Sequence, residues 1–247
     1  MDIELSCEPL TGGIYVYSSK EHRFGTDAFL LASFSGWRKK DLVADLGTGC
    51  GIIPMIMQRC DPPKHIWGIE IQEQGIKQFK LGIEKSNIDS SKITPVLADL
   101  KFLWNDAPLG KCDLVTCNPP YKAYQAGIES SLTAQKIARH EVLCNIYDVC
   151  TSASRLLKFG GRLCICNRPE RLSDCIDAMK KSGIEPKRLR FVSKNPESAP
   201  WLFLLEGKKG SKPFMQVEPQ LYIRTDTGDS DEVRSLYQPF PREDSKR

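Results

Sequence analysis

The feature that most constrains the fold is a glycine-rich turn between an apolar run and a helix-like segment. Leu42–Leu46 has the composition of a buried strand, residues 47–51 carry glycine at every second position, and a helix is predicted at residues 52–59. Pro54 is compatible with that helix because it falls in the first turn. A strand that enters a helix through such a turn is typical of a sheet of parallel strands covered by helices.

The same alternation of apolar runs and helix-period segments continues along the chain. Further strands are predicted at residues 65–70, 93–98, 112–117 and 162–166, and a hairpin at residues 189–193 and 201–205. Further helices are predicted at residues 72–87, 142–157 and 171–181, the second of them stopped by Gly160 and Gly161. The pattern predicts an α/β fold: a central, mostly parallel seven-stranded sheet with a late antiparallel hairpin and helices on both faces.

Composition excludes several classes of protein. The 247 residues are 40% hydrophobic and carry a net charge of +4, which is ordinary for one globular domain. The chain has no apolar run of membrane-spanning length and no signal-peptide pattern at its start, so we expect a cytoplasmic protein without a membrane partner. Its ten cysteines are expected to stay reduced and to act as packing residues. They form no Cys-x-x-Cys pair and the three histidines are scattered, so no metal site is predicted.

Three acidic residues stand at or just after the ends of three successive predicted strands. Asp45 precedes the glycine turn, Glu70 ends the next strand, and Asp99 follows the third. Because the carboxyl ends of parallel strands meet at one edge of a sheet, these residues are expected to lie around one ligand crevice. A carboxylate at the position of Glu70 can accept charge-assisted hydrogen bonds from ribose hydroxyls.

The glycine turn distinguishes between nucleotide-binding families. A dinucleotide fingerprint needs glycine at position 52, where this chain has Ile52. The observed Gly-x-Gly-x-Gly, with Asp45 two residues before it, resembles the cofactor loop of class I S-adenosylmethionine methyltransferases. The resemblance implies S-adenosylmethionine as the cofactor and an adenine contact at Asp99. The cofactor contacts expected are Thr26, Asp27, Asp45, Gly47, Thr48, Gly49, Gly51, Glu70, Ile71, Asp99, Leu100 and Asn118.

The most specific motif is the tetrapeptide at residues 118–121, which follows the fourth strand. Its residues are Asn118, Pro119, Pro120 and Tyr121, and it resembles the Asn-Pro-Pro-Tyr motif of methyltransferases that modify a planar, conjugated amino nitrogen. The Asn118 side-chain oxygen and the Pro119 carbonyl can accept the two amine N–H bonds as charge develops. The prolines fix the backbone, and Tyr121 offers a ring on which a flipped base can stack. These four residues are the predicted catalytic residues.

The motif alone leaves adenine N6, cytosine N4, guanine N2 and the glutamine side-chain amide open as targets. Residues 24–31, 138–141 and 157–169 resemble the bacterial valine-tRNA adenine-N6-methyltransferase family, and the resemblance extends from about Leu10 to Tyr237. It implies methylation of the adenine at tRNA position 37. From the sequence pattern, residues 1–40 are predicted to form an N-terminal appendage that covers the cofactor site, with a strand at residues 14–17 and a helix at residues 27–34, ahead of a catalytic domain at residues 41–247. His140 is expected to have a structural role.

Three alternatives remain open at this stage. A glutamine N5-methyltransferase acting on a peptide release factor usually has a longer helical N-terminal domain than 40 residues allow. A guanine-N2-methyltransferase acting on ribosomal RNA more often has Phe where this chain has Tyr121. An RNA-binding module with a decayed methyltransferase fold would not need the intact Gly47, Asn118 and Tyr121.

Local charge favours RNA as the partner. The enzyme is expected to be a monomer. Between Arg155 and Lys194 the chain has 11 basic and 4 acidic residues, so the local net charge is 11 − 4 = +7. Such a segment can meet phosphates, although helix faces are also commonly charged. The candidate RNA contacts are Lys20, Arg23, Lys122, Arg139, Arg168, Arg188 and Arg190.

Overall fold

A nine-stranded mixed sheet forms the centre of the chain in the computed structural model, which describes residues 4–19, 23–102, 105–119, 144–226 and 228–238. The strands are β1 (Ser6–Pro9), β2 (Tyr15–Ser18), β3 (Leu42–Leu46), β4 (His65–Glu70), β5 (Ile93–Leu97), β6 (Cys112–Cys117), β7 (Leu157–Asn167), β8 (Ile184–Ser193), β9 (Leu202–Lys209), β10 (Gln216–Val217), β11 (Leu221–Tyr222), β12 (Arg224–Thr225) and β13 (Gly228–Asp229). The helices are α1 (Thr26–Ser35), α2 (Ile52–Gln58), α3 (Glu73–Lys85), α4 (Ile146–Leu156), α5 (Leu172–Lys181) and α6 (Asp231–Leu236).

The predicted seven strands lie in the order β8-β9-β7-β6-β3-β4-β5. Neighbours from β7 to β5 are parallel, and β9 is antiparallel to both β7 and β8, as the late hairpin predicted. The short β10 and β11 extend the sheet by pairing with β8. The predicted fold class is therefore confirmed, with two small edge strands added.

Helices cover both faces of the sheet. The core on one face contains α1, α2 and the α3 side chain Phe79, whereas α4 and α5 pack on the other. This burial on both faces explains why the parallel strands are apolar runs without alternation.

The boundary between α4 and β7 differs from the prediction. Helix α4 begins only at Ile146, where Asn145 and Asp148 form a capping box, and it ends at Leu156. Gly160 and Gly161 do not stop a helix but lie inside β7, where the pairing with β6 is irregular between Cys112 and Leu114. A Cβ at Gly161 would lie 2.9 Å from the Cys112 carbonyl oxygen, so glycine permits the close approach of the two strands.

The N-terminal segment is a hairpin followed by a buried helix. The predicted strand near residues 14–17 is β2, and it pairs with β1, which the sequence pattern did not predict. β2 lies along α3, because the Tyr17 carbonyl accepts from Gln78 at 3.2 Å and the Tyr15 N–H donates to Ser86 at 2.8 Å. α1 then packs on α2, β7 and β9.

The C-terminal segment folds back onto α1 through α6. Arg59 donates to the carbonyls of Leu236 and Gln238 at 2.9 and 2.5 Å, and the Tyr237 ring lies 4.7 Å from that of Phe29. This segment therefore joins the core at the N-terminal helix.

The cysteines are free thiols, and seven of the ten are buried. Burial raises the pKa of Cys50 and of Cys175 to about 12, so both remain protonated packing groups. Within the described part of the chain, no helix has the length and apolar character needed to cross a bilayer, and no group of three or more His, Cys, Asp or Glu side chains is placed to hold a metal ion.

Candidate active site

Three of the predicted site residues lie at the carboxyl edge of the sheet. Leu46 of β3 pairs with Ile69 of β4 on one side and with Cys117 of β6 on the other. The next residues of these strands, Gly47, Glu70 and Asn118, therefore begin the three neighbouring loops at one edge. This is where ligands bind in open α/β sheets.

The glycine turn, residues 47–51, has a backbone conformation that requires its glycines. Gly47, Gly49 and Gly51 have φ angles of +69°, +57° and +81°, in the left-handed region that favours glycine. The Thr48 N–H donates to the Ile69 carbonyl at 2.9 Å, which ties the turn to β4. Among the described residues other than its two chain neighbours, none has an atom within 4 Å of the position that a Gly47 Cβ would take. A ligand can therefore approach the main chain closely on that side.

Glu70 is fixed by three backbone N–H groups. One carboxylate oxygen accepts from Gly49 and the other from Ile71 and Gln72, each at 2.9 Å. A carboxylate has about four lone-pair directions, so about one acceptor direction remains for a ligand hydroxyl. Binding both hydroxyls of a ribose would require one of the backbone bonds to lengthen.

Close packing at two further glycines, Gly75 and Gly68, supports the turn, and the sequence analysis did not identify either of them. Gly75 of α3 packs so closely that a Cβ there would lie 2.8 Å from the Gly49 carbonyl oxygen and 3.0 Å from Glu70 Cγ. The fully buried Phe79 ring fills the space beside Gly51 and Gly68, where added Cβ atoms would meet it at 2.0 and 2.5 Å. Isolated glycines inside a helix and a strand are the sequence signal for such close approach.

Asp45 is a buried acid below the turn. The Thr116 hydroxyl donates to its carboxyl at 2.7 Å, and the residue is only 2% exposed. Burial raises the pKa of Asp45 to about 7, from an ordinary 3.8. Asp45 is therefore buried beneath the turn, and its contact with a cofactor stays a prediction.

Asp99 lies beyond β5 and remains partly exposed. Its carboxylate accepts from the Lys101 N–H at 2.9 Å, and the Lys101 ammonium lies 3.7 Å away. Ile71, which follows the neighbouring strand β4, is 49% exposed, and the Leu100 carbonyl accepts from Ser152 at 2.6 Å. An acceptor and an exposed apolar side chain at this end of the crevice suit a flat ring that carries an amino group.

Asn118 joins three parts of the chain. Its side-chain nitrogen donates to Asp27, in the first turn of α1, at 3.1 Å. Its side-chain oxygen accepts from the Cys166 thiol of β7 at 3.2 Å. Neither contact was predicted, because Asp27 and Cys166 are remote from Asn118 in sequence. Beside Asp27, the Thr26 hydroxyl lies 3.0 Å from the Tyr237 hydroxyl.

The candidate RNA contacts have different surroundings. Arg23 is exposed, whereas Arg168 donates to the Trp201 carbonyl at 3.1 Å and its guanidinium lies 5.4 Å from the Trp201 ring centre. Arg188 pairs with Glu206 and Glu218 at 3.4 and 3.2 Å, and Arg190 forms a two-bond pair with Glu232 at 2.5 and 2.9 Å. Arg188 and Arg190 thus have a structural role, and their RNA contact stays a prediction.

Several predicted residues lie outside the described part of the chain. They are Lys20, Pro120, Tyr121, Lys122 and Arg139, together with His140. Pro119 is described and half-buried at the end of the site.

Comparisons with known proteins agree with this geometry. The family model for the methyltransferase small domain matches residues 11–181. A curated tRNA1(Val) (adenine(37)-N6)-methyltransferase from Tolumonas auensis is 29% identical over 220 residues, covering 88% of this chain and 89% of the relative. One of the same name from Histophilus somni is 30% identical over 142 residues, 57% of this chain, and the match spans 58% of that relative's length.

Solved structures show the same fold. A predicted O-methyltransferase of Agrobacterium tumefaciens superposes with a TM-score of 0.69 at 21% identity, covering 85% of this chain and 95% of that one. M. jannaschii TYW2 in complex with AdoMet superposes with a TM-score of 0.56 at 13% identity, covering 84% and 87%. With the family model matching well over half of its length, this chain belongs to the methyltransferase small domain family.

Proposed function

We propose that this chain methylates the exocyclic N6 of an adenine in tRNA, at position 37 of valine tRNA. The observation that carries the proposal is the side chain of Asn118, which follows β6 directly beside the glycine turn and is held by Asp27 and Cys166. The names of the Tolumonas and Histophilus relatives support the choice of target.

The residues at the carboxyl edge fit the cofactor. Gly47 leaves open space beside the turn, Glu70 retains an acceptor for a ribose hydroxyl, and Asp99 offers an acceptor for an adenine amino group. When bound, S-adenosylmethionine supplies a methyl group on a positively charged sulfur, and the electron pair of the broken carbon–sulfur bond stays on that sulfur. Further contacts are proposed for Thr26, Asp27, Asp45, Thr48, Gly49, Gly51, Ile71, Leu100 and Asn118.

The chain's contribution to the reaction is to orient the amine. An exocyclic amine is a weak nucleophile because its lone pair is delocalised into the ring. The Asn118 oxygen and the Pro119 carbonyl accept its two N–H bonds and favour a geometry in which the lone pair is available. The nitrogen gains positive charge as it is methylated and afterwards loses a proton to water, so no general base is required. Tyr121 is proposed to stack on the base, beside Pro120.

Binding of the RNA is proposed to involve basic residues, of which Arg23 is exposed and Arg168 is half-buried. Arg23 precedes α1, whose first turn contacts Asn118, and Arg168 follows β7. Lys20, Lys122, Arg139, Arg188 and Arg190 remain further candidates. Residues 1–40 are proposed to cover the cofactor, since β2 leads along α3 into α1. The proposed compartment is the cytoplasm.

The test is a methylation assay with the purified chain, labelled cofactor and a tRNA pool, followed by identification of the labelled nucleoside. We expect N6-methyladenosine. Asn118→Ala should lower kcat by about 100-fold or more, as loss of one transition-state hydrogen-bonding group does elsewhere. Its affinity for S-adenosylmethionine should stay within about twofold of wild type, because Asn118 is only one of many proposed cofactor contacts, whereas it is proposed to accept one of the two N–H bonds of the amine.

The matched control is Asn87→Gly, which removes an asparagine beyond the far end of α3 at φ +50°, a conformation that suits glycine. This variant should keep wild-type activity. Label in methylcytosine, methylguanine or a release factor would refute the target, and full activity of Asn118→Ala would refute the role of Asn118.

A further inference from the structure

Two side chains of opposite hydrogen-bonding character hold the Asn118 amide. Asp27 Oδ2 lies 3.1 Å from Asn118 Nδ2, and Cys166 Sγ lies 3.2 Å from Asn118 Oδ1. The β6–β7 register brings Cys166 to this place, because Cys117 pairs with Ile165 and the next residues of both strands are Asn118 and Cys166. Asp27 approaches from α1, 91 residues away in sequence.

This arrangement distinguishes the two ends of the amide. A carboxylate only accepts hydrogen bonds, so the NH₂ group of Asn118 must face Asp27. A flipped amide would set its oxygen against the carboxylate and would leave the Cys166 thiol facing a donor. The observed orientation therefore turns the Asn118 oxygen, the atom proposed to accept a bond from the target amine, away from the Asp27 carboxylate.

The Asp27 carboxylate is itself held in place. It folds back over Gly25, so that a Cβ added at Gly25 would lie 2.9 Å from Asp27 Oδ1. The helix that follows is anchored, since Ala28, Phe29 and Leu30 are buried. The position of Asp27 in the first turn also favours a negative charge there.

We propose that Asp27 is a positioning residue that locks the amide of Asn118 with its NH₂ group toward Asp27 and its oxygen turned away from that carboxylate, the orientation that the proposed role of the oxygen requires. This inference rests on the proposed function for its effect on catalysis, whereas the lock itself is a property of the free protein. Its negative charge, one side chain behind the acceptor, stabilises the amine as that nitrogen becomes positive. Because this charge appears only in the transition state, Asp27 should affect kcat rather than substrate binding.

The kinetic test compares four variants at saturating S-adenosylmethionine and tRNA. Asp27→Ala should lower kcat by about 10- to 100-fold, the range expected for a charge-assisted hydrogen bond, and leave KM for tRNA within about twofold. Asp27→Asn, whose amide can pair with either end of Asn118, should fall between this variant and wild type. Gly25→Ala keeps the carboxylate but displaces it, and should also lower kcat.

The matched control is Asp174→Asn, an aspartate in the first turn of α5, which should keep wild-type kcat. Gly25→Ala and Asp27→Asn keep the proposal testable should Asp27→Ala fold poorly. A kcat within twofold of wild type for a folded Asp27→Ala would overturn the proposal. So would a loss that disappears at saturating cofactor, because Asp27 would then act on cofactor binding alone.

A second readout needs no activity. In ¹⁵N-labelled protein, the side-chain NH₂ signals of Asn118 are identified by their loss in Asn118→Ala. We expect Asp27→Ala and Asp27→Asn to shift these signals and to speed their exchange with water, and Asp174→Asn to leave them unchanged. Unchanged signals in the Asp27 variants would overturn the lock. Failure of wild type to methylate tRNA would refute the proposed function, while the NMR result still decides the lock.

Discussion

An alanine at Gly75 would gain helix propensity but would crowd the glycine turn, residues 47–51. Gly75 lies inside α3, where alanine is favoured over glycine by about 1 kcal/mol. Its Cβ, however, would lie 2.8 Å from the Gly49 carbonyl oxygen, 3.1 Å from the Gly49 carbonyl carbon and 3.0 Å from Glu70 Cγ. Backbone atoms of the turn cannot rotate away as a flexible side chain can. The turn and Glu70 must therefore move.

Gly82 provides a matched comparison on the same helix. A Cβ at Gly82 would also meet a backbone oxygen, that of Tyr15 at 2.9 Å. Gly82, however, lies about two helical turns beyond Gly75, away from the glycine turn. For both variants the helix gain of about 1 kcal/mol offsets an overpacking cost of about 1–3 kcal/mol. Both should lose about 0–2 kcal/mol of the free energy of unfolding.

The two variants should differ in cofactor affinity. Displacing Glu70 and Gly49 removes the equivalent of one charge-assisted hydrogen bond, about 1.5–3 kcal/mol, so Gly75→Ala should raise the Kd for S-adenosylmethionine by about 10- to 150-fold. Gly82→Ala should stay within about twofold of wild type. Calorimetric titration measures Kd and urea denaturation measures stability. Equal Kd values for the two folded variants would refute the assignment of this turn as the cofactor site.

Two further predictions concern stability. Burial raises the pKa of Asp45 from 3.8 to about 7. The contribution of the protonated Asp45 carboxyl to the free energy of unfolding is therefore complete below pH 3.8, the pKa in the unfolded chain, and is lost as pH rises toward 7. In urea denaturation, the stability of wild type relative to Asp45→Asn should fall across that window by up to about 1.4 kcal/mol per pH unit, and parallel pH profiles of the two proteins would contradict this. Arg59→Met removes the two hydrogen bonds that Arg59 donates to Leu236 and Gln238, so it should lower the free energy of unfolding by about 2 kcal/mol and speed proteolysis of the C-terminal segment. The control is Arg224→Met, at an exposed ion pair with Asp229, which should lower it by under about 1 kcal/mol. Equal losses of stability in the two variants would argue against anchoring by Arg59.

The central sheet could be predicted because its strands are buried on both faces. Leu42–Leu46 and Cys112–Cys117 are therefore short apolar runs, and the glycine turn marks the first crossing into a helix. Parallel strands also place their ends at one edge, which made Asp45, Glu70 and Asn118 predictable as neighbours.

The remaining elements depend on tertiary contacts that leave little trace in the sequence. Ser6–Pro9 has no apolar alternation and is a strand only because it pairs with β2. β10 and β11 have two residues each and exist as additions to β8. Gly160 and Gly161 were predicted to end a helix because glycines often follow the last helical residue. Their actual role, in the irregular β6–β7 pairing, depends on a contact between distant parts of the chain that the sequence does not show.

The contacts between the site residues were less predictable from the sequence than the identities of those residues. The bond from Asn118 to Asp27 depends on how α1 packs across the sheet, and the bond from Cys166 depends on the β6–β7 register. Gly75 and Gly68 were visible as isolated glycines within a helix and a strand. Their partners, the turn and Phe79, became known only with the structure.

The central claim, methylation of one adenine in a tRNA, is tested most directly on a defined substrate. Unmodified valine tRNA transcript is incubated with the purified chain and S-adenosylmethionine, and the methylated nucleoside is mapped by digestion and mass spectrometry. We predict up to one N6-methyladenosine per transcript, at position 37, and none in an otherwise identical transcript with guanine there. Methylation that persists in the guanine transcript, or that appears on another type of nucleoside, would contradict the account.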